Sequence, residues 1–327
     1  MGQIFPMNYR LWRYAGLPGG EAIPDISRTA AATAARPVPQ NRTQSPIVMD
    51  GERRVLESRL WGGSHLPLSG PPRKLLAAYD GTAPSRSALG DAFALAQAYD
   101  AEVAVARIAS ADADTASLAE AVRKDAAGLG RLKREPRVIV SVDSDIVLGL
   151  QRLARSEDAS WLVIGTRDRS LKDEIKLGSV TEALLKEAVR PVWIARGTSP
   201  LDRARILVPV DDSPQAHVSV AQGLQLASTF GGELCLLHVT TAQDAHFAFH
   251  DLLKAVPFEQ TYFDEVPAHD SIADSILQCA RDIDATVVVL GTHREDMHQK
   301  LLPSGIAPEI VRRSACRLLV LHPFGDS

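Results

Sequence analysis

Near the middle of the chain, one glycine ends an apolar run and a second glycine lies thirteen residues further on. Gly165 ends the run WLVIG, and Gly178 precedes SVTEALL, which has the apolar spacing of an amphipathic helix. Backbone amides at a helix start lack intrahelical partners and carry partial positive charge, so they suit a phosphate group. Glycine at 178 lets a ligand approach the backbone, and the hydroxyls of Ser179 and Thr181 add donors. The spacing predicts phosphate binding between a strand and a helix.

Other motifs of nucleotide chemistry and catalysis are missing from the sequence. The glycine pattern matches neither the GxxxxGK[ST] loop nor GxGxxG. There is no GxSxG elbow, no SGGxDS or HxGH motif and no cysteine in a reactive context. His246 and His250 are four residues apart, but a third metal ligand is not evident, so no metal site is predicted. We therefore expect a binding protein, with an enzyme as one alternative.

The elements that would position the two glycines alternate along the chain. Short β-rich runs (KLLAAYDG, AEVAVARI, RVIVSV, SWLVIG and RPVWIAR) are separated mostly by longer segments with helical spacing. A polar stretch from about Ser110 to Arg134 shows no clear element. Strands that alternate with helices in this way predict a parallel, doubly wound α/β sheet of five strands.

The same order of elements recurs in the second half of the chain. RILVPVDDS matches KLLAAYDGT and sets Asp211 against Asp80, at an offset of 131 residues. TVVVLGTHR matches SWLVIGTRD, and CRLLVLH matches RPVWIAR, both at an offset of 126 residues. Two tandem copies of one α/β domain are therefore predicted, at residues 71–198 and 203–323.

The segment 1–70 differs from the rest in composition. It holds eight arginines and no lysine, it is rich in Pro, Gly, Ser, Thr and Ala, and it shows no sustained period. We expect it to be a disordered tail or linker. The net charge of the whole chain, −4, argues against broad nucleic-acid or anionic membrane surfaces. The three cysteines lie in apolar surroundings, and no apolar run approaches the roughly 20 residues of a membrane span, so a cytoplasmic protein is expected.

The glycine spacing resembles the universal stress protein family, whose nucleotide-binding members carry G-x2-G-x9-G-[ST] after the fourth strand. Gly165, Gly178 and Ser179 match this pattern, and the resemblance covers roughly residues 72–197 and 203–323. It implies an adenine-nucleotide-binding, Rossmann-like fold and ATP, ADP or AMP as the ligand, with Mg²⁺ as an optional companion. Family members typically pair through their last strands. In this chain PVWIA and RLLVL would form that pairing as an intramolecular pseudo-dimer, and a further homodimer stays open.

The resemblance also implies roles for individual residues. The adenosine would be held by Asp80, Ile108, Ile164 and Gly165. The phosphates would be surrounded by Arg167, Gly178, Ser179, Val180 and Thr181. Two alternatives that need no ligand stay open: Asp80 as a turn residue, and Ser179 as a plain helix cap.

Departures from the family pattern weaken the site. Asp168 replaces the second glycine in the first domain, and a carboxylate beside a phosphate is repulsive. In the second domain Arg294 replaces that glycine, and the final pair is inverted to Ser304-Gly305. We expect the second domain to bind nucleotide poorly. The leading hypothesis is a stress-response regulator whose bound nucleotide changes its contact with an unknown protein partner. One alternative is a scaffold that dimerises and binds no nucleotide. A further alternative, implied by the family resemblance, is a weak ATPase.

Overall fold

The structure is a computed structural model that describes residues 70–166, 178–188, 190–197, 199–211, 213–240, 261–267, 271–292 and 306–322. The predicted tail therefore lies almost wholly outside the described residues. The strands in these ranges are β1 Lys74–Ala78, β2 Glu102–Ala109, β3 Arg137–Val142, β4 Trp161–Gly165, β5 Val192–Ala195, β6 Arg205–Pro209, β7 Glu233–Thr240, β8 Thr261–Pro267, β9 Val287–Gly291 and β10 Arg317–Leu321. The helices are α1 Ala83–Tyr99, α2 Thr115–Ala127, α3 Ile146–Ser156, α4 Ser179–Glu187, α5 Pro214–Thr229, α6 Ile272–Asp282 and α7 Ile306–Arg313.

All ten of these strands lie in one sheet, in the order β3-β2-β1-β4-β5-β10-β9-β6-β7-β8. The strands within each half are parallel to one another. The order of the second half mirrors that of the first, as two copies related by a local two-fold axis require. The halves join where β5 and β10 pair antiparallel, with Trp193 beside Leu319. The predicted α/β fold class is confirmed, and the predicted pairing of the two closing strands is present.

Side chains that alternate along the strands divide the core into two layers. Leu75 and Ala77 pack on one face of the sheet, which α1, α2 and α5 cover. Leu76 packs on the other face, which α3, α4, α6 and α7 cover. Each layer contains residues of both halves, so the core is continuous across the β5–β10 pair. This alternation decides which side chains reach each side of the sheet at its carboxyl edge.

The prediction that residues 110–134 contain no clear element is wrong, because helix α2 lies within this stretch. Asp114 caps the helix by accepting hydrogen bonds from the backbone amides of Ala116 and Ser117, at 3.1 and 3.2 Å. Only Val122 and Ala126 of this helix are buried. Because the apolar stripe is so narrow, the sequence of this helix shows little helical periodicity of apolar residues. The sequence signal for the helix was Asp114, a residue type that favours the N-cap position.

The junction between the halves is aromatic and charged. Trp161 and Trp193 are buried, and their rings stack with centroids 6.1 Å apart and an interplanar angle of 7°. Asp91 of α1 accepts hydrogen bonds from Trp193 Nε1 at 2.9 Å and from Arg317 Nε at 2.8 Å. Arg317 Nη2 donates to the second oxygen of Asp91 at 2.9 Å. This buried network ties α1 to β5 and to β10, across the boundary between the halves.

The remaining predictions from composition concern cysteines and membrane spans. Cys235 and Cys279 are buried, Cys316 is half-buried, and all three are free thiols. None of the helices in the described ranges has the length and apolar character needed to cross a bilayer.

Candidate functional site

The carboxyl ends of β1, β2 and β4 meet at one edge of the first half. Ala78 pairs with Ala106, and the amide of Tyr79 donates to the carbonyl of Ala106 at 2.8 Å. On the other side of β1, Ala77 pairs with Val163. Continued along the strands, these registers place Asp80 level with Ile108 and just beyond Gly165. Helices α1 and α4 begin at this edge and run back along opposite faces. Such a divergence between neighbouring strands opens the crevice in which doubly wound sheets bind ligands.

Asp80 has a structural role at this edge. Its Oδ1 accepts hydrogen bonds from the amide of Thr82 at 2.9 Å and from the Thr82 hydroxyl at 2.6 Å. Burial acts to raise the pKa of Asp80, but these bonds, with Ser85 and nearby Arg107, hold the pKa below its ordinary value. Asp211 accepts from the amide of Ser213 at 3.1 Å in the second half. Both halves thus use this aspartate to form the turn that precedes a helix, although Asp80 is also exposed to solvent.

Gly165 is explained by packing against the start of α1. A Cβ atom at this position would lie 2.1 Å from the carbonyl oxygen of Pro84 and 2.9 Å from the amide nitrogen of Ser85. Only glycine therefore fits where the end of β4 meets the first turn of α1. Thr166 follows, and its buried hydroxyl accepts a hydrogen bond from Arg196 Nε at 2.9 Å.

The two isoleucines of the predicted adenosine site lie on the α3 and α4 side of the sheet. Ile164 is 2% exposed and belongs to the core, so only its backbone can face a ligand. Ile108 is half-buried and lies against α3, where a Cβ atom on Gly149 would be 2.9 Å from Ile108 Cδ1. An apolar wall is therefore present beside the crevice on this face.

The first turn of α4 carries the predicted phosphate-binding residues. The first helical hydrogen bond runs from the amide of Glu182 to the carbonyl of Gly178, at 3.0 Å. Gly178 stands at the N-cap, where its lack of a side chain leaves the amides of the first turn without a cap from that position. Gly178 and Ser179 are exposed, whereas Val180 packs on the core and Thr181 is buried.

Several predictions fall on residues outside the described ranges. Arg167 and Asp168 follow β4 in the sequence, and Arg294 follows β9, all outside the described ranges. The inverted pair at 304–305 and the two histidines at 246 and 250 also lie outside. Within the described ranges, no group of three or more His, Cys, Asp or Glu side chains is arranged to hold a metal ion.

Sequence reasoning missed a pocket of about 310 Å³ between α1 and α2. It is lined mainly by polar residues, among them Tyr79, Arg86, Arg107, Lys124 and Asp125. Asp125 accepts hydrogen bonds from the Tyr79 hydroxyl and, at 2.7 Å, from Arg86 Nε. The bond from Tyr79 and the contact with Arg86 lower the pKa of Asp125. Alternation along β2 could have placed Arg107 on this face, but the pocket needs α2, which had not been predicted.

Known proteins resemble more than half of this chain in sequence. Residues 72–196 and 203–265, more than half of the chain, match the model of the universal stress protein family. A universal stress protein of Mycolicibacterium smegmatis is 22% identical over 188 residues, which cover 51% of this chain and 63% of that protein. The match thus spans less than two thirds of that relative.

Solved structures show the same fold. A universal stress protein from Archaeoglobus fulgidus is 22% identical, with a TM-score of 0.63, and the match covers 77% of this chain and 99% of the other. A functionally unknown protein from Pseudomonas aeruginosa is 17% identical, with a TM-score of 0.61, over 79% of this chain and 94% of the other. At these identities the likeness is one of fold. The family match covers the first half and residues 203–265 of the second. Together with the fold, the glycine spacing and the mirrored sheet, it shows that the chain belongs to the universal stress protein family.

Proposed function

We propose that the chain binds an adenine nucleotide at the carboxyl edge of its first half, with the phosphates at the N-terminus of α4. The observation that carries this proposal is the start of α4 at an exposed glycine, beside a crevice at the switch point of the sheet. The amides of this first turn, which have no partner within the helix, and the exposed Ser179 hydroxyl are the donors that a phosphate group requires.

The residues around the crevice fit the rest of such a ligand. Ile108 offers an apolar surface to a base, and the exposed Asp80 carboxylate is an acceptor for ribose hydroxyls or an exocyclic amine. Gly165 brings bare backbone to the same edge. The ligand preference among ATP, ADP and AMP follows from how many phosphates the first turn of α4 and its preceding loop can hold. In the proposed regulatory role, the bound nucleotide changes which protein partner the chain engages.

Titration calorimetry of the full chain, stripped of nucleotide, tests this proposal. We expect saturable ATP binding that Gly178→Val weakens by about tenfold or more, because the added side chain obstructs the approach to the amides. Gly90→Ala is the matched control, since Gly90, like Gly178, has no described atom within 4 Å of its Cβ position but lies inside α1. Absence of saturation with ATP, ADP and AMP up to about 5 mM would reject nucleotide binding.

A scaffold without ligand is the second candidate, and specific observations favour it. Asp80 and Gly165 both have structural reasons to be present, in a helix-capping turn and in a close backbone contact. The continuous ten-stranded sheet, with helices on both faces, would by itself make a large rigid scaffold. The same titration separates the candidates, because the scaffold predicts no binding by the wild-type chain and no effect of Gly178→Val.

A further inference from the structure

The pocket between α1 and α2 lies on the opposite face of the sheet from α4. Tyr79 continues the alternation of Leu75 and Ala77, which pack with α1 and α2. Ile108 and Val180, in contrast, pack on the face that α3 and α4 cover. The pocket and the proposed phosphate site therefore open on different sides of the sheet, with Asp80 at the border between them.

The charges in this pocket do not cancel. Three cations line it, Arg86, Arg107 and Lys124, together with two carboxylates. Asp125 is already engaged by Arg86 and by the Tyr79 hydroxyl. Asp80 Oδ1 is engaged by Thr82. The three cations exceed the two carboxylates by one positive charge. Lys124, one of the three cations, is exposed to solvent.

Arg107 adds an unmet hydrogen-bonding requirement. Its Nε is shielded from solvent and has no hydrogen-bond partner among the described residues. A buried guanidinium nitrogen without an acceptor is unfavourable, because its hydrogen bonds to water have been lost and not replaced. The Nη1 atom of the same guanidinium lies 3.6 Å from the Cβ position of Gly81, which also lines the pocket. An oxyanion in the pocket would accept hydrogen bonds from this end of Arg107, since guanidinium groups match the geometry of phosphate and carboxylate oxygens.

The second half of the chain provides an internal comparison. Arg86 and Arg107 correspond to His217 and His238 at the offset of 131 residues. Arg107 pairs in register with Val140 of β3, whereas His238 pairs with Glu265 of β8. His238 Nδ1 lies 3.7 Å from Glu265 Oε1, so a carboxylate accompanies the imidazole in the second half. Beside Arg107 the corresponding position holds the apolar Val140, so no carboxylate accompanies the guanidinium there. The excess positive charge is therefore a feature of the first half.

We propose that this pocket is a second ligand site, which binds a compact oxyanion through Arg107 and Lys124. The ligand is a phosphate or carboxylate group, free or on a small molecule, because a volume of about 310 Å³ is at the lower limit of small-molecule sites. This site is distinct from the proposed phosphate-binding turn at α4, which lies on the other face of the sheet, although Asp80 borders both sites.

Titration calorimetry of the nucleotide-free full chain with inorganic phosphate at low ionic strength tests this inference. We expect saturable binding, weakened by about tenfold in Arg107→Gln and in Lys124→Gln, because each removes a charge-assisted hydrogen bond. Lys124 is exposed, so its variant tests the site even if Arg107→Gln does not fold. Malonate in a parallel titration distinguishes a carboxylate ligand from a phosphate ligand, and saturation by either anion supports the site.

Arg123→Gln is the matched control, because Arg123 is an exposed residue of the same helix that does not line the pocket. We expect it to leave phosphate binding unchanged. Equal weakening by Arg123→Gln, or no saturation by either anion up to about 20 mM, would overturn the inference. Loss of phosphate binding in Gly178→Val would place the anion at α4 and also overturn it. ATP binding without oxyanion binding in the pocket would reject this site and leave the proposed function intact.

Discussion

Glycines at equivalent-looking positions of a motif can be required for different physical reasons. At Gly165 a methyl group would overlap the carbonyl of Pro84, so the fold itself excludes a side chain. At Gly178 no described atom lies within 4 Å of a Cβ position, and the backbone angles, φ −58° and ψ 143°, suit any residue. Packing of the described residues therefore does not require glycine at 178, and the proposed function gives a reason for it in the approach of a ligand to the backbone.

This difference predicts opposite outcomes for two alanine variants. Gly165→Ala should lower the free energy of unfolding by about 1–3 kcal/mol or more, since backbone atoms must move. Gly178→Ala should change it by less than about 1 kcal/mol, the cost of a poorer N-cap. Chemical denaturation of both variants measures this. Equal destabilisation by the two would show that packing requires glycine at 178 as much as at 165, and would contradict the distinction between them.

His322, just beyond β10, makes stability depend on pH. It is 7% exposed, neither ring nitrogen has a hydrogen-bond partner among the described residues, and burial lowers its pKa to about 4. The unfolded chain, with an ordinary histidine pKa near 6.5, binds the proton more readily than the folded chain does. Stability is therefore full above about pH 6.5 and is lost progressively as the pH falls towards 4.

The expected loss from this histidine between pH 7 and pH 5 is about 2 kcal/mol. Denaturant titrations at the two pH values measure it, and His322→Leu should remove most of the difference, because leucine does not titrate. The same loss of stability in wild type and variant would show that His322 is not responsible.

At the scale of elements, the sequence was informative where apolar periodicity was strong. The β-rich runs around Val105 and Val163, which alternate with helical segments, predicted the sheet. The repeat offsets of 131 and 126 residues predicted its duplication. Helix α2 was missed because it buries little apolar surface, and the pocket that depends on it was missed with it. The contact of Gly165 with α1 could not be foreseen, since it depends on how closely a helix approaches a strand.

The network of Asp91, Trp193 and Arg317 was also beyond sequence reasoning, because it joins residues 226 positions apart. Asp91→Ala would leave the buried guanidinium of Arg317 unpaired, and we expect a loss of about 3–5 kcal/mol in stability. Replacing both partners with apolar residues should recover much of this loss.

Thermal and chemical unfolding of these variants measures the effect. Lys133→Ala, which removes an exposed ion pair with Asp100, is the control and should cost less than about 1 kcal/mol. A loss as small for Asp91→Ala as for Lys133→Ala would show that the network does not hold the halves together.

At the scale of the whole molecule, the two halves share a fold but differ in their carboxyl edges. Both keep the aspartate turn before the first helix, at Asp80 and Asp211, and a glycine at the end of the fourth strand, at Gly165 and Gly291. The first half starts α4 after Gly178-Ser179, whereas α7 starts at Ile306, with Ala307 packed on the core. One sheet thus carries two unequal edges, and the proposed nucleotide site belongs to the first half alone.

Native mass spectrometry of the full chain equilibrated with ATP tests this asymmetry most directly, because it counts bound nucleotides. We predict one nucleotide per chain, and a clearly lower bound fraction in the Gly178→Val variant at the same ATP concentration. Two nucleotides per chain would contradict the assignment of binding to the first half. No bound nucleotide in the wild-type chain would contradict nucleotide binding itself.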